Sequence, residues 1–271
     1  MVRIAVLGST GMLGNAVVRH FLNTEHKIIT TYRDDRDKLC SGDEKYYYDP
    51  TVDGVKLPFS CDYVINCIGV IKPFIDVNKQ HSIYLNSMFP RELADYCEKT
   101  NTKLIHITTD CVFSGKEGEY SESSVHDCLD FYGKTKSLGE PENCMVIRTS
   151  IIGEEIHKDA SLIAWVKSMK GSEVNGFTNH LWNGVTTNQY AEICEQIIDE
   201  DLFANGLFHL CSNKVNKYEL VSYINERFEL GININAMATE VAVDRTMTTE
   251  TELGKLLSSK LKSVKQQILN L

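Results

Sequence analysis

A seven-residue turn near the start of the chain, Gly8-Ser9-Thr10-Gly11-Met12-Leu13-Gly14, restricts it to few architectures. It follows residues 3–7, a compact apolar run with the look of a buried strand. It opens residues 12–22, whose apolar side chains recur at helical spacing. Glycine here allows a tight turn, close approach of the backbone to a pyrophosphate, and close packing of helix on strand. The helix N-terminus then faces the anion. A glycine triplet alone is weak evidence, but one set between strand and helix is strong. Gly8, Thr10, Gly11, Met12 and Leu13 are therefore expected to contact a dinucleotide.

The alternation continues. Residues 27–32, 63–66, 103–108 and 145–148 read as strands, and 82–100 as a long helix that Pro90 is expected to kink. Strands that are apolar on both faces and separated by helices indicate a parallel sheet covered on both sides. The expected fold is α/β, a Rossmann-type doubly wound parallel sheet with a smaller C-terminal substrate-binding region. After Arg148 the pattern loosens. Residues 162–169, 189–198, 217–228 and 253–271 look helical, 207–210 looks like a strand, and 171–187 looks like a loop with a short strand. Residues 1–150 are expected to form the dinucleotide-binding domain. Residues 151–271 are expected to form mainly the substrate region, packed partly back onto the first.

Composition excludes several classes. With 42% hydrophobic and 24% charged residues, the 271-residue chain resembles ordinary globular proteins. Its net charge of −9 argues against nucleic acid or an acidic membrane as partner. The nine cysteines are scattered and form no CxxC pair, so no disulfide framework or metal site is expected. No apolar run reaches the length of a membrane span, and the first residues lack a secretion-signal layout. The expected compartment is the cytoplasm.

Tyr132-Gly133-Lys134-Thr135-Lys136 sets a phenol and an ammonium four residues apart, on one face of a helix. The ammonium is expected to lower the phenol's pKa, giving a donor suited to protonating a carbonyl oxygen while hydride reaches carbon. Thr108 and Thr109 end a strand, where open α/β sheets bind ligands, and alternation turns only one of them to the cleft. Arg33 ends the second strand and suits a 2′-phosphate, which favours NADPH with NADH as the alternative; Asp34 and Asp35 beside it weaken that reading. Asp49, after the strand-like run 46–48, is a candidate for the adenine or simply a loop acid. Trp182, among Asn179, His180 and Asn183, is a candidate to stack on a base or cover a sugar.

In the order of its motifs the chain resembles the extended short-chain dehydrogenase/reductases, above all the dTDP-4-dehydrorhamnose reductase branch. The motifs are GSTGMLG at 8–14, NCIG at 66–69, YLNSMFPRELA around Asn86, TTDCVFSG at 108–115 and YGKTK at 132–136. VIRTSIIG at 146–153, NGVTT at 183–187, GLFHLCS at 206–212 and DRTMTT at 244–249 follow. The resemblance implies Thr109, Tyr132 and Lys136 as the catalytic set of a nucleotide-sugar 4-keto reductase. Asn66, Cys67, Ile68, Gly69 and Asn86 would line the cofactor cleft, and Arg148, Thr186 and Arg245 would lie towards the nucleotide sugar. A homodimer is compatible with it. One departure stands out: Cys111 occupies a position where rhamnose reductases usually have tyrosine, as in GDP-fucose synthase and the plant-type epimerase-reductases. That leaves a substrate-side packing residue or, with His157 or His180 as partner acid, a 3,5-epimerase. A third reading is a non-catalytic subunit, since methionine adenosyltransferase has one on this fold.

Overall fold

Successive side chains of the first strand, β1 (Arg3–Leu7), enter two different cores. Ile4 and Val6 pack with Val17 and Phe21 of α1 (Met12–Phe21), while Ala5 and Leu7 pack with Phe89 and Leu93 on the opposite face. Only a strand covered on both sides can use such a sequence. The computed structural model describes residues 1–33, 41–156 and 160–271. The sequence candidates Asp34, Asp35, Cys40 and His157 lie outside the described residues.

The first half continues with β2 (Lys27–Tyr32), β3 (Glu44–Tyr47), α2 (Pro50–Asp53), β4 (Tyr63–Asn66), α3 (Lys79–Ile83) and α4 (Phe89–Lys99). β5 (Lys103–Thr109), α5 (Phe131–Leu138) and β6 (Met145–Thr149) follow. Ile65, Ile105 and Ile147 repeat the α1-side pattern, and Val64, Leu104 and Val146 the α4-side pattern. The helix expected over 82–100 starts earlier, capped by Asn78, and is interrupted by a π-helical turn at Tyr84–Met88. Pro90 sits in the first turn of α4 and offers no N–H to the preceding turn, which widens there.

The second half adds β7 (Ile151–Ile152), α6 (Leu162–Ser168), β8 (Glu173–Phe177), β9 (His180–Trp182), β10 (Val185–Thr186) and α7 (Thr187–Asp199). It ends with β11 (Gly206–His209), β12 (Val215–Asn216), α8 (Lys217–Phe228), β13 (Asn233–Met237), β14 (Val243–Asp244), α9 (Glu252–Ser259) and α10 (Val264–Leu269). The loop expected over 171–187 contains three short strands. The terminal helix expected over 253–271 is two helices, the second started by a reciprocal Ser263–Gln266 cap. The main sheet is parallel throughout, in the order β11-β6-β5-β4-β1-β2-β3. β11 thus joins β6 across the boundary expected near residue 150, and α7 covers α1. A separate core under α6, α8 and α10 includes Trp182, Ile163, Leu220 and Ile268. No helix among the described residues is long and apolar enough to cross a membrane.

Arg148, expected towards the nucleotide sugar, is instead a fully buried tie between the halves. Its Nε and Nη2 donate to the two Glu140 oxygens at 3.1 and 2.6 Å. Nη1 donates to His209 Nε2 at 2.8 Å and Nη2 to His126 Nε2 at 2.7 Å, with the guanidinium over the Phe113 ring. Sequence spacing could not disclose this, because every partner but Glu140 lies more than twenty residues away. His209 donates its other nitrogen to Thr248 O at 2.7 Å. Burial, then Arg148, pushes its imidazole from an ordinary 6.5 down to about 4. The unfolded chain therefore takes up a proton near pH 6.5 that the folded chain refuses until pH 4, so stability falls as pH falls through that window. The cost is about 3 kcal/mol from this one group. Urea denaturation of wild type and His209→Gln between pH 7 and 4 should give a flatter profile for the variant; superimposable slopes would refute it.

Candidate active site

The glycine turn is held where a dinucleotide would need it. Gly8 has φ +76°, a conformation that favours glycine, and its O accepts from Gly11 N at 3.0 Å. A Cβ on Gly14 would lie 2.2 Å from Gly8 O, so only glycine lets α1 pack this closely. Gly8 N donates to Thr31 Oγ1 at 3.1 Å and Ser9 Oγ to Thr31 O at 2.6 Å, fixing the turn to the end of β2. α1 begins at Gly11 with no side-chain cap. Its first N–H groups are thus turned to a cleft of about 700 Å³ along the carboxyl ends of the strands. Gly8, Thr10, Gly11, Met12, Leu13, Arg33, Cys67, Ile68 and Gly69 all line it. This uncapped cradle fits a dinucleotide pyrophosphate. Among the described residues no cluster of side chains is suited to a metal ion.

Farther along the same cleft stand Thr109, Cys111, Tyr132 and Lys136. Asp130 caps α5 through Gly133 N at 2.8 Å, and the four-residue spacing sets Tyr132 and Lys136 on one face. The glycine between them is required: a Cβ on Gly133 would lie 2.3 Å from Cys111 O. That contact presses α5 onto the turn after β5 and sets the Tyr132 phenol beside Thr109 in the cleft wall. Thr109 donates to Asp110 Oδ1 and accepts from Cys111 N, both at 3.1 Å, so it also caps the turn. Thr108 lies in the lining too, but its hydroxyl is buried and finds no partner among the described residues. Lys136 Nζ donates to Ile107 O at 3.3 Å and sits beside Gly69.

The electrostatics reverse one expectation. Burial, reinforced by Cys111, raises the Tyr132 phenol above its ordinary value, and burial pushes Lys136 down to about 8. Desolvation outweighs any help from the ammonium, so Tyr132 is a neutral phenol holding its proton. Burial and then Asp110 push the Cys111 thiol up to about 12.

Other candidates stand elsewhere. Asn66 and Asn86 are fully buried behind the cleft wall. Asn66 accepts from Ile68 N at 3.1 Å, and Asn86 pairs with Val70 N and O at 2.8 and 2.9 Å; both shape the 67–71 loop without lining it. Asp49 caps α2 through Thr51 and lies outside the lining, with Arg33 as neighbour. Trp182 belongs to the second core, because β9 pairs with β12 and turns the indole inwards. His180 bonds Thr239 at 2.8 Å, away from the cleft. Thr186 caps α7 through Gln189 N at 3.2 Å and borders a different depression. Arg245 donates to Phe113 O at 3.0 Å and stands near Cys111, just outside the lining.

Sequence reasoning missed Lys72, which lines the cleft and bonds Asp130 at 3.0 Å, and the Ser150–Ile152 wall. It also missed Lys217, which stands near Asp110, Cys111 and Arg245 outside the lining, and whose ammonium burial holds below its ordinary pKa against the pull of Asp110. Only Asp130 carried a local signal, as an N-cap just before the helix.

The family model for the RmlD substrate binding domain matches residues 2–266. The methionine adenosyltransferase 2 subunit beta of Danio rerio is 26% identical over 244 residues, covering 84% of this chain and 74% of that protein. The probable low-salt glycan biosynthesis reductase Agl14 of Haloferax volcanii is 25% identical over 226 residues, covering 76% and 73%. A dTDP-4-dehydrorhamnose reductase of Bacillus anthracis, solved in complex with NADP, superposes with a TM-score of 0.75 at 16% identity over 100% and 98% of the two chains. The last likeness shows a shared fold. Matched from its first strand into its last helix, the chain belongs to the RmlD substrate binding domain family.

Proposed function

We propose that this chain is an NADPH-dependent reductase, with NADH as the weaker alternative, of a nucleoside-diphosphate 4-keto-6-deoxy sugar. The observation that carries this is one continuous cleft joining the uncapped α1 N-terminus to the Thr109–Tyr132 pair. A bound nicotinamide supplies the hydride. The chain's own residues do the rest. Tyr132 holds a proton at its hydroxyl, ready for the sugar's carbonyl oxygen, and Thr109 orients that oxygen by turning its hydroxyl proton from Asp110 to it. Lys136 fits the nicotinamide ribose, and Cys111 and Arg245 would stand on the sugar side. The test is NADPH oxidation against dTDP-, UDP- and GDP-linked 4-keto-6-deoxy sugars. Turnover with none of them would overturn the reading.

That outcome would favour a regulatory subunit, a second reading supported by the likeness to methionine adenosyltransferase 2 subunit beta. Against it stands the full Thr109/Tyr132/Lys136 set in one cleft.

For Cys111 we expect no epimerase role. A thiol pushed up to about 12 is almost wholly protonated at neutral pH and cannot act as base. Reduction run in deuterated water should leave carbons 3 and 5 of the product free of enzyme-dependent deuterium by NMR. Incorporation that disappears in Cys111→Ser, while reduction persists, would establish the bifunctional enzyme.

A further inference from the structure

Arg33 lines one end of the cleft, and Asp49, just outside the lining, approaches it from the adjacent strand. Arg33 follows β2 and lines the cleft beside Tyr32, Tyr48 and Pro50, and Asp49 lies between the last two. In parallel α/β sheets the adenosine ribose of a dinucleotide lies over the end of the second strand. The Asp49 carboxylate is 3.8 Å from Arg33 Nη1, a distance for charge attraction without a hydrogen bond. It cannot easily swing away. Asp49 Oδ1 accepts from Thr51 N at 2.9 Å and Thr51 Oγ1 at 2.7 Å, and Asp49 N donates to Asp53 at 2.8 Å. Burial opposes its charge, but the Thr51 hydrogen bonds and the Arg33 guanidinium outweigh it and hold the carboxyl below the usual range. It is ionised at neutral pH.

We propose that Asp49 is a specificity-determining residue: a fixed counter-ion of Arg33 that opposes the 2′-phosphate and keeps the preference for NADPH over NADH small. This rests on the nicotinamide-dependent reading above. A 2′-phosphate arriving at Arg33 meets a cation already partly neutralised, and a carboxylate of its own sign beside it. NADH, with a 2′-hydroxyl in that place, meets no such repulsion.

The test is calorimetric titration of the full chain with NADPH and with NADH, for wild type, Asp49→Asn and Arg33→Ala. Asparagine caps a helix about as well as aspartate, so Asp49→Asn removes the charge and keeps the Thr51 cap. Its thermal midpoint should match wild type. The ratio of the two dissociation constants is the readout, because any contact of Asp49 with adenine or the first ribose is common to both nucleotides and cancels. Asp49→Asn should shift the ratio towards NADPH by roughly three- to tenfold, the scale of a part-exposed charge pair acting on a multiply charged phosphate. Arg33→Ala should shift it towards NADH. An Asp49→Asn ratio equal to wild type, with both nucleotides bound, overturns this inference alone. Binding of neither nucleotide by wild type overturns the cofactor reading, and this inference with it.

Discussion

Tyr132→Phe should fold, bind NADPH as wild type does, and lose keto-sugar reduction by about 10²–10⁴-fold, the usual cost of removing a general acid. The substitution deletes one oxygen. The ring keeps its place on α5, because Gly133 and the Asp130 cap set the helix against the turn after β5. The Thr109 hydroxyl stays where it is, since Asp110 and Cys111 N already hold it. Only the proton source is gone. The neutral phenol strengthens this expectation: burial holds the proton on Tyr132 until a carbonyl oxygen accumulates charge beside it. The loss should therefore fall on kcat with KM for the sugar little changed. Cofactor titration of the variant serves as the check on folding. Near-wild-type turnover with an authentic keto-sugar would remove Tyr132 from the chemistry.

Arg148→Leu should cost about 3–5 kcal/mol of stability, because it leaves the Glu140 carboxylate desolvated without its partner. His126 and His209 would each lose the donor to their Nε2 as well. Since Arg148 ties β6 to β11 and to the segments carrying His126 and Thr248, the loss should appear as global destabilisation in urea denaturation. The double variant Arg148→Leu/Glu140→Leu should recover part of it, since an apolar pair carries no unpaired charge. Had Arg148 held the nucleotide sugar, the single variant would keep its stability and raise KM instead. A stable variant with weakened substrate affinity would restore the sequence-based reading.

The sequence by itself determined whatever depends on neighbours within a turn or two of chain. The glycine turn was legible because Gly8 and Gly14 solve a local steric problem, a left-handed φ and a 2.2 Å clash, within seven residues. The shared face of Tyr132 and Lys136 follows from helical pitch, and the parallel sheet from strands apolar on both sides. The tertiary structure decided what depends on groups far away in sequence. Thr109, and not Thr108, meets Tyr132 because α5 is pressed onto the turn at Cys111. Arg148, Trp182 and Thr186 carry polar or aromatic groups that suit a ligand equally well. Glu140 and His209, the second core, and the start of α7 claimed them first. The sign of the Tyr132 shift was beyond the sequence for the same reason. Spacing puts an ammonium nearby, but only the assembled cleft removes the water that would have solvated a phenolate, and that desolvation is the larger effect.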